Sequence, residues 1–206
     1  DATCARLGLD TLAKKLAWLR ENAIVYVNMD AGVGGTRFGG ASGSPGMLGA
    51  MRGVLEKIPP VVRAEGETPA SLWEEWKAGL KDGAEPALGL PGSGSDFAVF
   101  VHHLSVPILE FGFIGARGGG YHTTFDDFTL VDRHVDPGFV GHELAARVMS
   151  ELLVDLSARG GGAIDVHEAL LTLQRTALEG TKEPPEIASR TDAHASGRLE
   201  DAQRRL

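Results

Sequence analysis

The chain has 206 residues, 43% of them hydrophobic, which is enough for one sizeable core with a small appendage. Its formal net charge is -8 and no Lys/Arg cluster is interleaved with aromatics, so nucleic acid is excluded as an expected partner. The single cysteine, Cys4, rules out an internal disulfide and a cysteine-rich zinc module, and no apolar run approaches the ~20 residues of a membrane helix.

The sequence opens on Asp1 rather than Met and shows no signal peptide, which reads as a boundary within a longer protein. From Leu7 to Asn22, Leu9, Leu12, Ala13, Leu16 and Leu19 recur at helical spacing, and basic residues sit toward the end of the run. A strand is expected from Ala23 to Asn28, apolar enough to be covered on both faces, and it leads directly to the carboxylate of Asp30. The segment from Gly32 to Gly40 reads as a glycine-rich loop. It carries Arg37 where a dinucleotide fingerprint needs its third glycine, and no Gly-Lys-Ser/Thr follows, so neither nucleotide motif is present.

Ser44-Pro45 is expected to open a helix through about Lys57, with serine as cap and proline in the first turn, and Pro59-Pro60 ends it. A short amphipathic helix built on Leu72, Trp73 and Trp76 follows between Thr68 and Leu80. The stretch from Lys81 to Pro91 is loop. Ser95 and Asp96 look like caps for an apolar helix beginning at Phe97, within which the adjacent His102 and His103 point about 100° apart and cannot share a metal. The run from Val106 to Phe113 reads as a buried strand. After it, Gly118-Gly119-Gly120 presents Tyr121 and His122, and a histidine on a loop following a strand is a plausible metal ligand or general base. Asp136-Pro137 is expected to start a helix to about Leu156. Its Gly141-His142-Glu143 resembles the opening of a zincin helix, but position 146 is alanine instead of the second histidine, and that motif is rejected. A glycine-rich hinge spans 157–162, a last helix runs from Asp165 to Glu179, and the charged, Pro-containing tail is expected to be mobile.

Four motifs occur in order: Val25-Tyr26-Val27-Asn28-Met29-Asp30, Ser71-Leu72-Trp73-Glu74-Glu75-Trp76, Gly92-Ser93-Gly94-Ser95-Asp96-Phe97 and Gly120-Tyr121-His122. Together, across roughly Ala13 to Leu156, they resemble the glutamate carboxypeptidase II and transferrin-receptor-like group of dizinc M28 peptidases. The resemblance implies an α/β fold, a three-layer α/β/α sheet of zinc-exopeptidase type present in part over 1–156. A hinge at 157–162 and the start of a helical dimerisation-like domain at 163–206 would follow. It implies peptide substrates cleaved by water activated between two zinc ions, a homodimer, and an exported or membrane-anchored ectodomain.

By that resemblance Asp30 would bind one zinc and His122 the other, and Tyr121 would donate a hydrogen bond to the charge developing on the substrate carbonyl. Ser93, Gly94 and Ser95 would hold the substrate main chain. Glu110 would be a substrate-side residue on the strand where carboxypeptidase members carry arginines. A carboxylate there disfavours an acidic substrate and points to another specificity, such as an aminopeptidase. The group's remaining ligands, a histidine, a bridging aspartate and a glutamate beside the catalytic glutamate, would lie upstream of Asp30. This sequence does not contain them, and Thr3 and Cys4 stand near where the two glutamates would be. The alternative expectation is a non-catalytic transferrin-receptor-like binding or interaction domain.

Overall fold

A computed structural model describes residues 14–180, apart from 31, 62–68, 116–119, 121 and 122. The described part is mixed α/β. Helix α1 (14–22) precedes strand β1 (Tyr26–Asn28), then β2 (Arg37–Gly43), α2 (Leu48–Leu55), α3 (Leu72–Ala78) and the short α4 (Phe97–Val99), which continues as one π-helical turn over Phe100–Leu104. Strand β3 (Ile108–Ile114), a helical turn α5 (Phe128–Leu130), the long α6 (Val140–Arg159) and α7 (Val166–Gly180) complete the order.

The three strands form one sheet in the order β1-β3-β2. The last strand in sequence is the central one, parallel to β1 and antiparallel to β2. Beyond β1 the chain bulges outward at Asp30 and returns to β3, where Phe113 N–H donates to Gly32 O at 2.7 Å and Gly34 N–H to Phe113 O at 2.7 Å.

Strand β2 occupies much of what the sequence suggests is a glycine-rich loop. Gly39, Gly40 and Gly43 weaken strand propensity, and only the pairing with β3 makes the segment a strand. A bulge between Phe38 and Gly40, with Gly40 at φ +126°, bends it. Its outer edge is partly covered by Gly89, which exchanges hydrogen bonds with Gly43 and Ala41.

Side-chain alternation on β3 sends Leu109, Phe111 and Phe113 to one face. There they join Met51, Val54 and Leu55 of α2, Leu72, Trp73 and Trp76 of α3, and Leu144, Val148 and Leu152 of α6 in the main core. Phe38 stands among three rings, edge-on to Phe113 at 5.6 Å and near Trp76 and Phe111. The opposite face is covered in part. Tyr26 stacks on Phe100 with ring centroids 3.9 Å apart, while Phe97, Leu104, Val106 and Ile108 are buried outside the main core.

Helix starts differ from those expected. Ser44 does not cap α2. Its Oγ instead accepts the Ile108 N–H at 3.0 Å, ending the β2–β3 ladder, and α2 begins at Leu48. Ser71 is the cap of α3, accepting the Glu74 N–H at 3.3 Å. Asp96 makes no side-chain cap to α4. Asp136 does not begin α6, since Pro137–Phe139 form a tight turn with Gly138 at φ +78° and the helix starts at Val140. Asp136 is nonetheless its anchor, accepting the N–H groups of Gly141 and His142, each at 2.9 Å, and His142 Nδ1 at 2.6 Å. The zincin-like histidine is thus a partner of this cap.

Helix α6 runs unbroken through Arg159 and ends in a 3-10 turn over Gly160–Ala163. By internal contacts the chain divides into two compact units, Asp1–Ala169 and Leu170–Leu206. Helix α7 is capped at its start by Asp165, whose Oδ1 accepts the Glu168 N–H at 3.0 Å. The tail after Gly180 lies outside the described residues. No described helix is long and apolar enough to cross a membrane.

Candidate functional site

The sheet's second face also carries a polar row. In the ladder, Asn28 of β1 stands beside Glu110 of β3, and Glu110 stands beside Ser42 of β2. Cross-strand neighbours on one face lie about 5 Å apart, close enough for their side chains to bond. Asn28 Nδ2 donates to Glu110 Oε1 at 2.8 Å, and Ser42 Oγ donates to Glu110 Oε2 at 3.2 Å. Asn28 Nδ2 also donates to Ser95 Oγ at 3.1 Å, tying the row to the loop ahead of α4. Glu110 is half-buried, and none of the ion pairs among the described residues involves it. Donors from both neighbouring strands hold its two oxygens.

Beside this row lies a groove of about 240 Å³, lined by Asp30, Gly40, Ala41, Ser42, Glu110, Gly112 and the Phe111 between the last two. The backbone bulge after β1 brings the exposed Asp30 to its rim. Two carboxylates therefore face a groove whose lining, among the described residues, holds no lysine or arginine. An acidic group placed about 5 Å from one of them meets a repulsion of roughly 3 kcal/mol at an effective dielectric near 20.

The loop 92–95 is fixed at both ends. His102 Nε2 donates to Gly92 O at 3.0 Å, and Ser95 receives Asn28. Between them Ser93 and Gly94 are exposed, and Gly94 takes φ +104°. Arg20 of α1 reaches the His103 carbonyl at 2.8 Å, so the neighbouring histidines serve the local scaffold, His102 through its ring and His103 through its backbone.

Of the site residues expected from sequence, Asp30 and Glu110 line one groove, and Ser95 joins Glu110 through Asn28. Tyr121 and His122 lie outside the described residues. Asn28 and Ser42 are the members that sequence reasoning passed over. Asn28 carries a signal in hindsight, being an amide at the end of an otherwise apolar strand, two positions from Tyr26 and therefore on its face.

A structural or catalytic zinc takes three or four protein ligands. Among the described residues no three His, Cys, Asp or Glu side chains converge on a point that could hold a metal ion. The described residues do not by themselves fit a zinc centre, and no step of hydrolysis is assigned to them.

No family model matches the chain. Sequence comparison relates it to aminopeptidase NAALADL1 of Mus musculus, 30% identical over 154 residues, covering 69% of this chain and 20% of that protein. The probable glutamate carboxypeptidase LAMP1 of Arabidopsis thaliana is 30% identical over 147 residues, covering 68% and 20%. The probable glutamate carboxypeptidase VP8 of Zea mays is 30% identical over 142 residues, covering 68% and 18%. The chain is thus distantly homologous to the M28, glutamate-carboxypeptidase-II-like group of peptidases. It spans about a fifth of the length of the curated relatives it matches.

Proposed function

We propose that this chain is the substrate-side portion of a zinc-dependent exopeptidase of the zinc-exopeptidase fold, acting on peptides without an acidic residue at the groove. The observation that carries this reading is the groove itself. In a chain homologous to peptidases, Asp30 stands at the rim of a cleft whose floor is a hydrogen-bonded carboxylate and whose walls are glycine and alanine. Asp30 and His122 would each supply a ligand to one of two zinc ions, with further ligands coming from outside this chain. Zinc so held would activate a water for attack on the peptide bond. Tyr121 would donate to the carbonyl oxygen, and Ser93, Gly94 and Ser95 would meet the main chain.

The test uses the natural full-length protein. Its zinc content and its hydrolysis of alanyl-alanine and of an aspartyl or glutamyl dipeptide are measured beside those of Asp30→Ala and His122→Ala. The proposal expects preferential cleavage of the neutral dipeptide and loss of zinc and turnover in both variants. Unchanged zinc and turnover in both would remove the metallopeptidase assignment, and preference for the acidic dipeptide would remove the specificity.

A further inference from the structure

Asn28 is 6% exposed, and its amide donates twice through Nδ2, to Glu110 and to Ser95. An asparagine amide has two N–H donors and one acceptor oxygen, so the pair of bonds to Glu110 and Ser95 uses both donors. Turning the amide over would set its oxygen against the Glu110 carboxylate, two acceptors with no proton between them. Glu110 therefore fixes which way Asn28 faces. Glu110 is itself fixed by the Ser42 hydroxyl from the far strand. Ser95 Oγ accepts from Asn28, which leaves its own O–H to donate elsewhere.

We propose that Asn28 is a positioning residue. Oriented by Glu110, it holds Ser95 and so fixes the Ser93-Gly94-Ser95 loop against the polar row. The relay runs from β2 through β3 and β1 into the loop, joining positions 42, 110, 28 and 95, which chain length alone would leave uncoordinated. Glu110 then acts from beneath the site through Asn28, and the loop's backbone is delivered in one position before a peptide arrives. A pre-set loop binds without first losing conformational freedom. His102 secures the opposite end of the same loop at Gly92, so removing Asn28 frees one end and leaves the other held. This inference rests on the reading of the loop as a contact for the substrate main chain.

The experiment compares Asn28→Ala, Ser95→Ala and the double variant in the natural full-length protein. Amide hydrogen exchange over 92–97 is followed together with KM and kcat for alanyl-alanine. One neutral hydrogen bond of about 1 kcal/mol corresponds to roughly fivefold faster exchange in the loop. The expected result is that change in both single variants, no further change in the double variant, unaltered exchange in β3, and a rise in KM exceeding any fall in kcat. Ser95→Ala keeps the test decisive if the buried Asn28→Ala protein fails to fold. Unaltered loop exchange in the variants that fold overturns the positioning role. Faster loop exchange with unchanged KM leaves Asn28 as the loop's clamp and overturns the assignment of that loop to substrate.

Discussion

Asp136 and His142 are joined through both backbone and side chain. The aspartate carboxylate accepts the His142 N–H at 2.9 Å and the ring Nδ1 at 2.6 Å, and also takes the Gly141 N–H. Asp136 is 1% exposed, so these bonds replace water entirely at a carboxylate that would otherwise be costly to bury. Asp136→Ala is expected to lower unfolding stability by about 3 kcal/mol, through loss of the α6 anchor and of charge-assisted bonds. Asp136→Asn, which retains one acceptor, should cost less. Urea unfolding followed by tryptophan fluorescence separates the two.

The same carboxylate gives the fold a pH dependence. Burial works to raise the Asp136 pKa, but the Gly141 N–H and the His142 side chain and N–H outweigh it and hold the pKa below the ordinary aspartate value. A pKa lower in the folded than in the unfolded state contributes stability that is full above the unfolded value, about pH 4. It is lost as pH falls through the folded value. Melting temperature should therefore decline more steeply below about pH 4 in the wild type than in Asp136→Asn. Equal slopes for the two proteins would show that Asp136 contributes no such linkage.

Gly141 lies against the chain between β1 and β2. A Cβ there would run into the Gly35 carbonyl oxygen and stand 3.0 Å from Val33 Cγ1. The obstacle is backbone, which cannot rotate away. The helix propensity gained by alanine, up to about 1 kcal/mol, is smaller than the strain of moving α6 off the sheet. Gly141→Ala is predicted to destabilise by roughly 2 kcal/mol, and Gly49→Ala in α2, where a Cβ meets nothing within 4 Å, should be neutral or stabilising. Thermal denaturation of the pair gives the sign of each.

Phe113 is almost wholly buried on the core face of the central strand, in edge contact with Phe38. Phe113→Ala removes a large ring that α2, α3 and α6 cannot close over, with an expected loss of about 3–5 kcal/mol. Phe113→Leu, which leaves a smaller cavity, should cost less than half of that. Denaturant midpoints for the two variants measure the difference.

How much of this was legible beforehand depended on whether a residue's partners were near it in sequence. Strand β3, helix α3 and the long run of α6 announce themselves through local apolar spacing, because what decides them is the face they bury. Strand β2 does not, because Gly39, Gly40 and Gly43 carry no strand signal and the segment is made a strand by β3 some 70 positions away. Ser44 and Asp96 resemble helix caps locally. In the fold Ser44 serves Ile108 and Asp96 makes no cap, since tertiary donors and turn geometry took precedence. Asp30 stands out as the carboxylate that ends the β1 run, and Ser95 and Glu110 through the family resemblance. What joins the last two is Asn28, whose importance appears only once Glu110 is placed beside it. Tyr121 and His122 lie outside the described residues, so their placement rests on sequence alone.

The central position of β3 also fixes a timetable for biosynthesis. Neither β1 nor β2 pairs with the other, and both pair with β3. Asn28 and its partner Glu110 are separated by 82 positions. At about 5–20 residues per second, β1 waits on the order of 4–16 s after translation before its neighbour even exists. Throughout that interval both strand segments lack the β3 backbone groups they pair with. A ribosome-bound chain released only as far as Pro107 holds neither the sheet nor the polar row. One released past Ile114 can complete both at once.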